Sequence, residues 1–358
     1  MVNILGLDIG GANTKATFLK TQEGKVTELK TILEYFPVWK NERKQLSELL
    51  NQLKKKLINS VVLDGVGVTI TAELSDAYQT KKEGINHVLG SVTKVFGEFP
   101  IFVLDVETNL LTVKDALKNY LKVSSANWAA TGWVLSKLIK NGIVTDVGST
   151  TTSIIPVING KVAAKGKTDL EKLQNGELVY SGSLRTNVAT IVNVIPVKEK
   201  LTRISSELFA QSGDVHRILG NISESEYTVQ TCDDRGKTKK EAMARLARVV
   251  SADTNMLSEE EIMGMAKFVY EKQLKQIADG LAQVYDRTKL PKEETKIVVT
   301  GMGRNFLAKK AAENLGFTDI IDMNEILGAD ASIASPSVGV ALMVATRLEG
   351  KNVTWQQS

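Results

Sequence analysis

One pattern occurs twice in this 358-residue chain, and that repeat limits the possible folds more than any other feature. The first copy spans Gly6–Lys15 and the second spans Asp146–Thr152. Each passes from an apolar run into an aspartate, then glycine, then small hydroxyl or amide side chains. Glycine lets the backbone turn and lets its N–H groups approach an anion closely. Two such strand–turn–strand units, spaced about a lobe apart, predict a two-lobed phosphate clamp.

The residues of the two turns supply the donors that phosphate oxygens need. Hydroxyl, amide and ammonium groups donate hydrogen bonds, and glycine exposes its backbone N–H. The predicted phosphate ligands are Gly10, Gly11, Asn13, Thr14 and Lys15 in the first turn, and Gly148, Ser149, Thr150 and Thr151 in the second. Neither turn is a P-loop, because the sequence Gly-x-x-x-x-Gly-Lys-Ser/Thr does not occur there. A plain structural hairpin is the alternative for each turn.

An aspartate ends the strand that leads into each turn, at Asp8 and Asp146. A carboxylate at a buried strand end needs a partner. A Mg²⁺ ion typically keeps several waters and takes one or two carboxylates. We therefore expect Asp8 and Asp146 to act as ligands, largely through water, of Mg²⁺.

Four further residues, in three segments, are candidate site residues, and each segment has an alternative interpretation. Asp105 ends a buried strand and could be a general base, a cation ligand or the cap of the next helix. Arg185 follows a strand-like run and could clamp an anion or form a surface salt bridge. Gly301 and Gly303 flank a strand-to-helix turn that could set a helix N-terminus against an anion or be a plain connection.

Other clusters point to ordinary structure. Asp214–His216 and Cys232–Asp234 superficially suggest a metal site, but the chain has two histidines and no ligand spacing on a helix. Arg245 and Arg248 lie one helical turn apart, and most such pairs are solvated. No Ser-His-Asp or Cys-His constellation can be defended from the sequence.

Composition narrows the class of protein further. The 45 basic and 41 acidic residues are spread along the chain, which argues against a nucleic-acid partner. The single cysteine excludes an intrachain disulfide. The apolar runs are far shorter than the ~20 residues needed to span a bilayer, and no signal-type segment opens the chain. We expect a cytoplasmic protein without a membrane partner; the sequence leaves its oligomeric state open.

Periodicity places the turns within an α/β arrangement. Strands are predicted on both sides of each turn, with an Asn159-Gly160 hairpin after the second. Helices are predicted over Asn41–Ile58, Val106–Lys122, Asn127–Lys140, Arg203–Phe209, Lys239–Val250, Ser258–Arg287, Asn305–Leu315 and Val338–Leu348. The repeat predicts one lobe of residues 1–125 plus 336–358 and a second of residues 126–335.

At this level the chain resembles a known superfamily. The two Asp-x-Gly turns, the Gly301–Gly303 turn and the helix after Pro336 are similar to the phosphate, adenosine and connecting motifs of the acetate kinase, sugar kinase, heat-shock chaperone and actin fold. The resemblance implies a duplicated actin-like (ribonuclease H-like) α/β fold with mixed sheets and a cleft between two lobes. The two turns resemble more closely those of its hydantoinase A/oxoprolinase-related branch.

Three less regular stretches narrow the resemblance to an archaeal family of ether synthases in methanofuran biosynthesis, which serves one-carbon transfer. They are Tyr180–Thr186, Asp214–Gly220 with Asp233-Asp234, and Val299–Phe306. The family implies a transferase that joins γ-glutamyltyramine to a furan-methyl diphosphate, forms an aryl ether and releases pyrophosphate. Its partners would be small molecules, and ATP would not be required. Mg²⁺ held near Asp8 and Asp146, with Lys15 and the N–H groups of the hairpins, would then stabilise the leaving diphosphate, and Asp105 would take the phenol proton.

Two other functions stay open from the sequence. An ATP-dependent small-molecule kinase or a hydantoinase/oxoprolinase-like hydrolase of the same fold would use the same turns, and Gly301–Gly303 would usually face adenosine. An actin-like or chaperone-like nucleotide switch is the other alternative.

Overall fold

The computed structural model describes residues 1–58 and 61–353, with the backbone alone at position 330. The strands are β1 (Val2–Gly10), β2 (Asn13–Gln22), β3 (Lys25–Tyr35), β4 (Gly65–Thr71), β5 (Ile101–Leu104), β6 (Leu110–Leu111), β7 (Gly142–Val147), β8 (Thr152–Ile158), β9 (Lys161–Val162), β10 (Leu178–Val179), β11 (Val194–Val197), β12 (Lys200–Arg203), β13 (Lys296–Thr300) and β14 (Ile320–Asp322).

The α-helices are α1 (Gln45–Leu57), α2 (Lys81–Phe96), α3 (Val113–Lys118), α4 (Tyr120–Val123), α5 (Asn127–Ser136), α6 (Asp169–Gln174), α7 (Val188–Ile191), α8 (Ser212–Leu219), α9 (Lys239–Arg248), α10 (Glu259–Thr288), α11 (Lys309–Asn314), α12 (Met323–Leu327), α13 (Ala329–Ile333) and α14 (Ser335–Glu349). Val38–Lys40 and Lys292–Glu294 form 3₁₀ turns, and Arg304–Ala308 forms a π-helical turn.

Two sheets share a central strand order, which confirms the predicted duplicated actin-like α/β fold. The first sheet has the order β3-β2-β1-β4-β5-β6, with β1, β2 and β3 antiparallel and with β1, β4 and β5 parallel. The second has the order β10-β8-β7-β13-β14, with β9 also paired to β8. In each sheet the first strand therefore lies between a hairpin partner and a strand that arrives much later in the sequence, which is the ribonuclease H-like arrangement.

The described chain divides into two compact units. The first contains Met1–Gly142, Ile155–Lys172 and the residues from Met323 onward, and the second contains Ile143–Ile154 and Leu173–Asp322. The predicted domain boundaries after residues 125 and 335 stay a prediction, and the compact units divide the chain at other residues. Each unit contains one of the two glycine-rich turns. The first unit contains the first sheet, and the second contains most of the second sheet, although β9 and the last residues of β8 are assigned to the first.

In the first unit, helix α14 packs directly on the sheet because two strand glycines leave room for it. A Cβ on Gly6 would lie 2.9 Å from Ala341 Cβ, and one on Gly67 would lie 3.0 Å from Val340 Cγ2. The helix is buried along most of its length from Ser335 to Ala345. Glycine in these strands thus lets helix and sheet backbones come close.

Helix α10 runs through the second unit, and its start was predicted correctly. Ser258 and Glu261 form the expected capping box, in which each side chain binds the other residue's backbone N–H. Buried apolar side chains along this helix pack on both β-sheet and helical neighbours, including Ile262, Val269, Ile277 and Leu281. No helix in the described part of the chain is both long enough and apolar enough to cross a bilayer.

Two predicted helices are wrong in part or whole. Residues 106–109 form a loop and Leu110–Leu111 a strand, so the helical segment predicted from Val106 begins only at α3. The helix predicted over Arg203–Phe209 is absent, because Arg203 ends the β11–β12 hairpin and the Ser205 N–H then donates to the Val249 carbonyl. In both segments, contacts with residues outside the segment decide the structure instead of the local periodic pattern that predicted a helix.

Candidate functional site

The first glycine-rich turn joins β1 to β2 and places charged groups side by side. Asp8 pairs with Lys15 across the hairpin, and Lys15 Nζ lies 3.6 Å from Asp8 Oδ2. Asp8 is buried, whereas Lys15 is partly exposed. A Cβ on Gly10 would lie 2.7 Å from the Asn13 carbonyl oxygen, so the turn requires glycine there. The Thr14 hydroxyl is buried and has no hydrogen-bond partner among the described residues.

The neighbouring strand ends surround this turn within the first unit. Gly10 pairs with Thr71 at the end of β4, and the Ala72 N–H donates to the Ile9 carbonyl at 3.1 Å. Because β1, β4 and β5 are parallel, their carboxyl ends lie at one edge of the sheet. Asp8 and Asp105, which were both predicted as site residues, therefore stand at the same edge.

Asp105 holds the loop that follows β5. Its Oδ1 accepts hydrogen bonds from the N–H groups of Glu107 at 2.9 Å and Asn109 at 2.7 Å, and its Oδ2 accepts one from Asn109 Nδ2 at 3.1 Å. The capping alternative for Asp105 is wrong, because Thr112 caps the next helix, α3. The predicted role of Asp105 as a general base stays a prediction.

The sequence prediction missed a buried acid at the same edge, Glu73. It follows β4 by two residues and is 1% exposed. Glu73 Oε1 lies 2.7 Å from Ser125 Oγ and 3.7 Å from Lys81 Nζ, whereas Oε2 is buried with no hydrogen-bond partner in the described chain. Burial raises the pKa of Glu73, although Ser125 and Lys81 oppose that shift. The strand-end rule that selected Asp8 would also have selected Glu73.

The second glycine-rich turn joins β7 to β8 and is held by the segment after β10. The Gly148 N–H donates to the Thr151 carbonyl at 2.9 Å and closes the turn. The backbone and hydroxyl of Ser183 both donate to the Gly148 carbonyl, and the Arg185 N–H donates to the Ser149 carbonyl, each at 2.9 Å. The structure thus brings the backbone of Arg185 against the predicted phosphate ligands Gly148–Thr151, and the role of its side chain as an anion clamp stays a prediction.

The Gly301–Gly303 turn packs against the same hairpin within the second unit. The Gly303 N–H donates to the Val147 carbonyl at 3.0 Å. Gly301 has φ +84°, and a Cβ there would lie 2.6 Å from Asp146 Oδ1. Both its backbone conformation and the space around it therefore require glycine. The helix predicted from Asn305 begins as the π-helical turn Arg304–Ala308, a feature that is frequent at functional sites.

A row of hydrogen-bonded polar side chains contacts the segment that holds the second turn, and sequence patterns did not predict it. Gln273 Nε2 donates to Ser181 Oγ at 3.1 Å and to the Gly182 carbonyl at 2.8 Å. Gln273 Oε1 lies 3.0 Å from His216 Nε2. Burial lowers the pKa of His216 to about 3, so this imidazole is neutral at ordinary pH. Only the fold brings these residues together, since 57 positions separate His216 from Gln273.

The expectation that Arg245 is solvated is wrong, because its side chain is fully buried. Arg245 Nε lies 2.7 Å from Asp214 Oδ1, and Nη1 lies 3.0 Å from Asp233 Oδ1. Arg248 is one-third exposed and binds Asp233 at 3.1 Å. The two acidic stretches that superficially suggested a metal site therefore bind arginine, and among the described residues no three His, Cys, Asp or Glu side chains form a metal cluster.

Comparison with known proteins gives consistent matches. The family profile described as hydantoinase/oxoprolinase matches residues 64–347. A protein of Methanocaldococcus jannaschii named (4-{4-[2-(gamma-L-glutamylamino)ethyl]phenoxymethyl}furan-2-yl)methanamine synthase is 40% identical to this chain over 97% of it and 99% of the relative. A Methanococcus vannielii protein with the same name is 36% identical, over 61% of this chain and 97% of that protein.

Among solved structures, the nucleotide-free structure of acetone carboxylase, from a study of ATP-dependent acetone carboxylation, is similar to this one. The TM-score is 0.59 at 11% identity, covering 95% of this chain and 70% of that chain. A likeness at this identity concerns the fold alone.

Proposed function

The chain belongs to the hydantoinase/oxoprolinase family, and we propose that it is the synthase that joins γ-glutamyltyramine to a furan-methyl diphosphate in methanofuran biosynthesis. The observation that carries the proposal is the 40% identity over 97% of the chain to a relative of that name. The relative's product name contains a phenoxymethyl-furan link, which is an aryl ether. In class, the enzyme would be a transferase of an alkyl group onto a phenol, acting on small molecules.

The bond changes of this reaction define what the site must do. The phenol oxygen forms a bond to the furan methylene carbon, and the bond from that carbon to the diphosphate oxygen breaks. The diphosphate leaves with the electron pair, and the phenol proton goes to a base. Because negative charge grows on the departing diphosphate, fixed donors that face it stabilise the transition state.

The two glycine-rich turns offer those donors. In the first, Lys15 supplies a cation and Thr14 a hydroxyl that has no other partner in the described chain. In the second, the backbone of Gly148–Thr151 is held in a closed turn beside Arg185. In our proposal each turn binds phosphate oxygens. Gly10, Gly11 and Asn13 lend backbone room and N–H groups in the first unit, and Gly301 and Gly303 lend backbone room in the second.

Magnesium fits this donor set as a largely hydrated ion. Each turn contributes one aspartate, Asp8 or Asp146, and Mg²⁺ bound by one or two carboxylates otherwise takes water and substrate phosphate oxygens. When bound, the ion would neutralise charge on the diphosphate.

One observation favours a second candidate function. The Gly301–Gly303 turn adjoins Asp146, as a nucleotide site of this fold would require. An ATP-dependent kinase or hydrolase should therefore be tested by thermal unfolding with ATP and ADP. Our proposal predicts that the furan-methyl diphosphate raises the melting temperature and that the nucleotides do not.

The direct test is turnover by the purified protein with both substrates and Mg²⁺. We expect equal amounts of pyrophosphate and ether. Asp8→Asn and Asp146→Asn should each lower kcat by about 100-fold or more, since each removes a carboxylate that would hold the Mg²⁺ that neutralises the leaving charge. Asp115→Asn, at the first turn of α3, is the matched control and should retain activity. Absence of ether with the wild-type protein would exclude this function.

A further inference from the structure

Glu73 lies beside the first turn, because residues before and after it in the chain are both close to that turn. Thr71 pairs with Gly10, and a Cβ on Gly11 would lie 3.8 Å from Ser75 Cβ. Helix α2 fixes the backbone between them, because a Cβ on Gly84 would lie 2.6 Å from Glu73 Cα. The Glu73 carboxyl is thus held at the edge where the diphosphate would bind.

One hydroxyl group connects Glu73 to a second carboxylate. Ser125 Oγ lies 2.7 Å from Glu73 Oε1 and also 2.7 Å from Asp169 Oδ2. A serine hydroxyl has one hydrogen to donate, so it can satisfy only one ionised carboxylate. Asp169 Oδ2 also forms an ion pair with Lys81 Nζ at 3.0 Å, so Asp169 is the carboxylate with a cation at close range. The remaining contact is satisfied when Glu73 carries a proton and donates it to Ser125 Oγ.

The environment of Glu73 agrees with a protonated carboxyl. The facing titratable groups are Lys81 on α2, Asp169 on α6 and Tyr78 in the loop before α2. Burial is the largest influence and raises the pKa of Glu73. Ser125 has φ +52°, an uncommon conformation for a non-glycine residue, so the chain holds this hydroxyl in place at some cost.

Glu73 and Asp169, at the two ends of this row of linked groups, differ in their exposure to solvent. Glu73 Oε2 is buried and has no hydrogen-bond partner among the described residues, although the rest of its carboxyl is bound. Asp169 and Lys81 are each about one-fifth exposed, at 21% and 22% of the side chain. The three linked groups of Glu73, Ser125 and Asp169 therefore lead from a buried oxygen, which has no hydrogen-bond partner in the described chain, to a carboxylate that solvent reaches.

We propose that Glu73, Ser125 and Asp169 form a proton relay that carries the phenol proton from the first turn to water. This inference rests on the proposed ether-forming reaction. As the phenol oxygen bonds to carbon, its proton passes to Glu73 Oε2, and the proton on Oε1 passes to Ser125 Oγ. The Ser125 proton passes to Asp169, which releases it to solvent. Each group ends with the proton count that it had before, and no oxidant or further reactant is needed.

Glu73→Gln is the main test, because glutamine matches the shape of a protonated glutamate and cannot pass a proton on. We expect the single-turnover rate to fall about 100-fold with KM for the diphosphate unchanged. Ser125→Ala should lower the same rate. Both variants should lose the solvent deuterium isotope effect of the wild-type rate, which a purely structural role would leave in place.

Two controls separate this inference from the proposed function. Glu98→Gln changes an exposed acid that pairs with Lys54, and it should keep the full rate. An infrared difference spectrum of wild type minus Glu73→Gln at neutral pH needs no substrate and should show the carbonyl band of a protonated carboxyl. Absence of that band, or an unchanged rate and isotope effect in Glu73→Gln, would overturn the relay. If Asp105→Asn instead abolished the isotope effect while Glu73→Gln did not, Asp105 would be the base.

Discussion

Glu73 in the first unit and Asp214 in the second are both buried acids whose pKa burial raises, yet their surroundings differ. Asp214 Oδ1 is bound by Arg245 Nε at 2.7 Å and by the Tyr227 hydroxyl at 3.0 Å, and its Oδ2 accepts the Gln211 N–H at 3.0 Å. Glu73 shares one hydroxyl with a second acid and leaves one oxygen without a hydrogen-bond partner in the described chain. Both carboxyl oxygens of Asp214 are bound, which indicates a structural role for this acid, whereas the unpartnered oxygen of Glu73 indicates a functional one.

The Asp214 network has a visible structural task. Asp214 and Gln211 form the capping box of α8, and Arg245 on α9 reaches both Asp214 and the Gly236 carbonyl. The network thereby joins two helices and the loop between them. Glu73 binds Ser125 and lies 3.7 Å from Lys81, and its Oε2 keeps no hydrogen-bond partner among the described residues.

The largest expected effect is on stability, from Arg245→Met. The change leaves Asp214 and Asp233 without their shared cation, so the free energy of unfolding should fall by about 3–5 kcal/mol. Arg248→Met is the matched control; it removes a partly exposed contact to Asp233 and should cost less than about 1 kcal/mol. Denaturant titration measures both. Equal losses in the two variants would contradict the structural assignment of this network.

The next effect is a loss of stability at low pH, and it arises in the second unit. The pKa of His216 is about 3 in the folded protein, against an ordinary value of 6.5. Only the unfolded chain gains a proton as the pH falls below about 6.5, so stability should decline from there toward pH 3, by up to about 1.4 kcal/mol per pH unit. His216→Gln should flatten this slope more than His87→Gln, since His87 is only half-buried. Equal slopes in both variants would contradict the burial argument.

The smallest effect is a loss of stability as the pH rises, and it arises in the first unit. The pKa of Glu73 is raised, so the folded protein holds a proton that the unfolded chain has lost. This contribution is complete below about pH 4.5 and is lost as the pH rises through the pKa of the folded state, by at most about 1.4 kcal/mol per pH unit. In Glu73→Gln the unfolding free energy should lose that decline. An unchanged slope in denaturant titrations would show that Glu73 is ionised in the folded protein.

The sequence was sufficient for the local features of the site. Asp8, Gly10, Lys15 and the residues of the second turn are adjacent in the chain, so spacing alone predicted two hairpins of the same design. The capping box at Ser258 was predictable for the same reason. Resemblance then supplied the actin-like fold, which the shared strand order of the two sheets confirms.

What the sequence could not give depends on residues far apart in the chain. Glu73 meets Ser125 across 52 positions, and Arg245 meets Asp214 across 31. Arg245 looked solvated because helical spacing says nothing about which acid lies opposite. The functions of the candidate residues, the bound Mg²⁺ and the cytoplasmic location stay predictions.

The most direct test of the account is the fate of ¹⁸O placed in the phenol group of γ-glutamyltyramine. We predict that mass spectrometry will find the label in the ether and none in the released pyrophosphate, because the phenol oxygen attacks carbon and the bond from carbon to diphosphate breaks. Label recovered in an aryl phosphate would show attack at phosphorus, which is the reaction of a kinase, and would contradict the account.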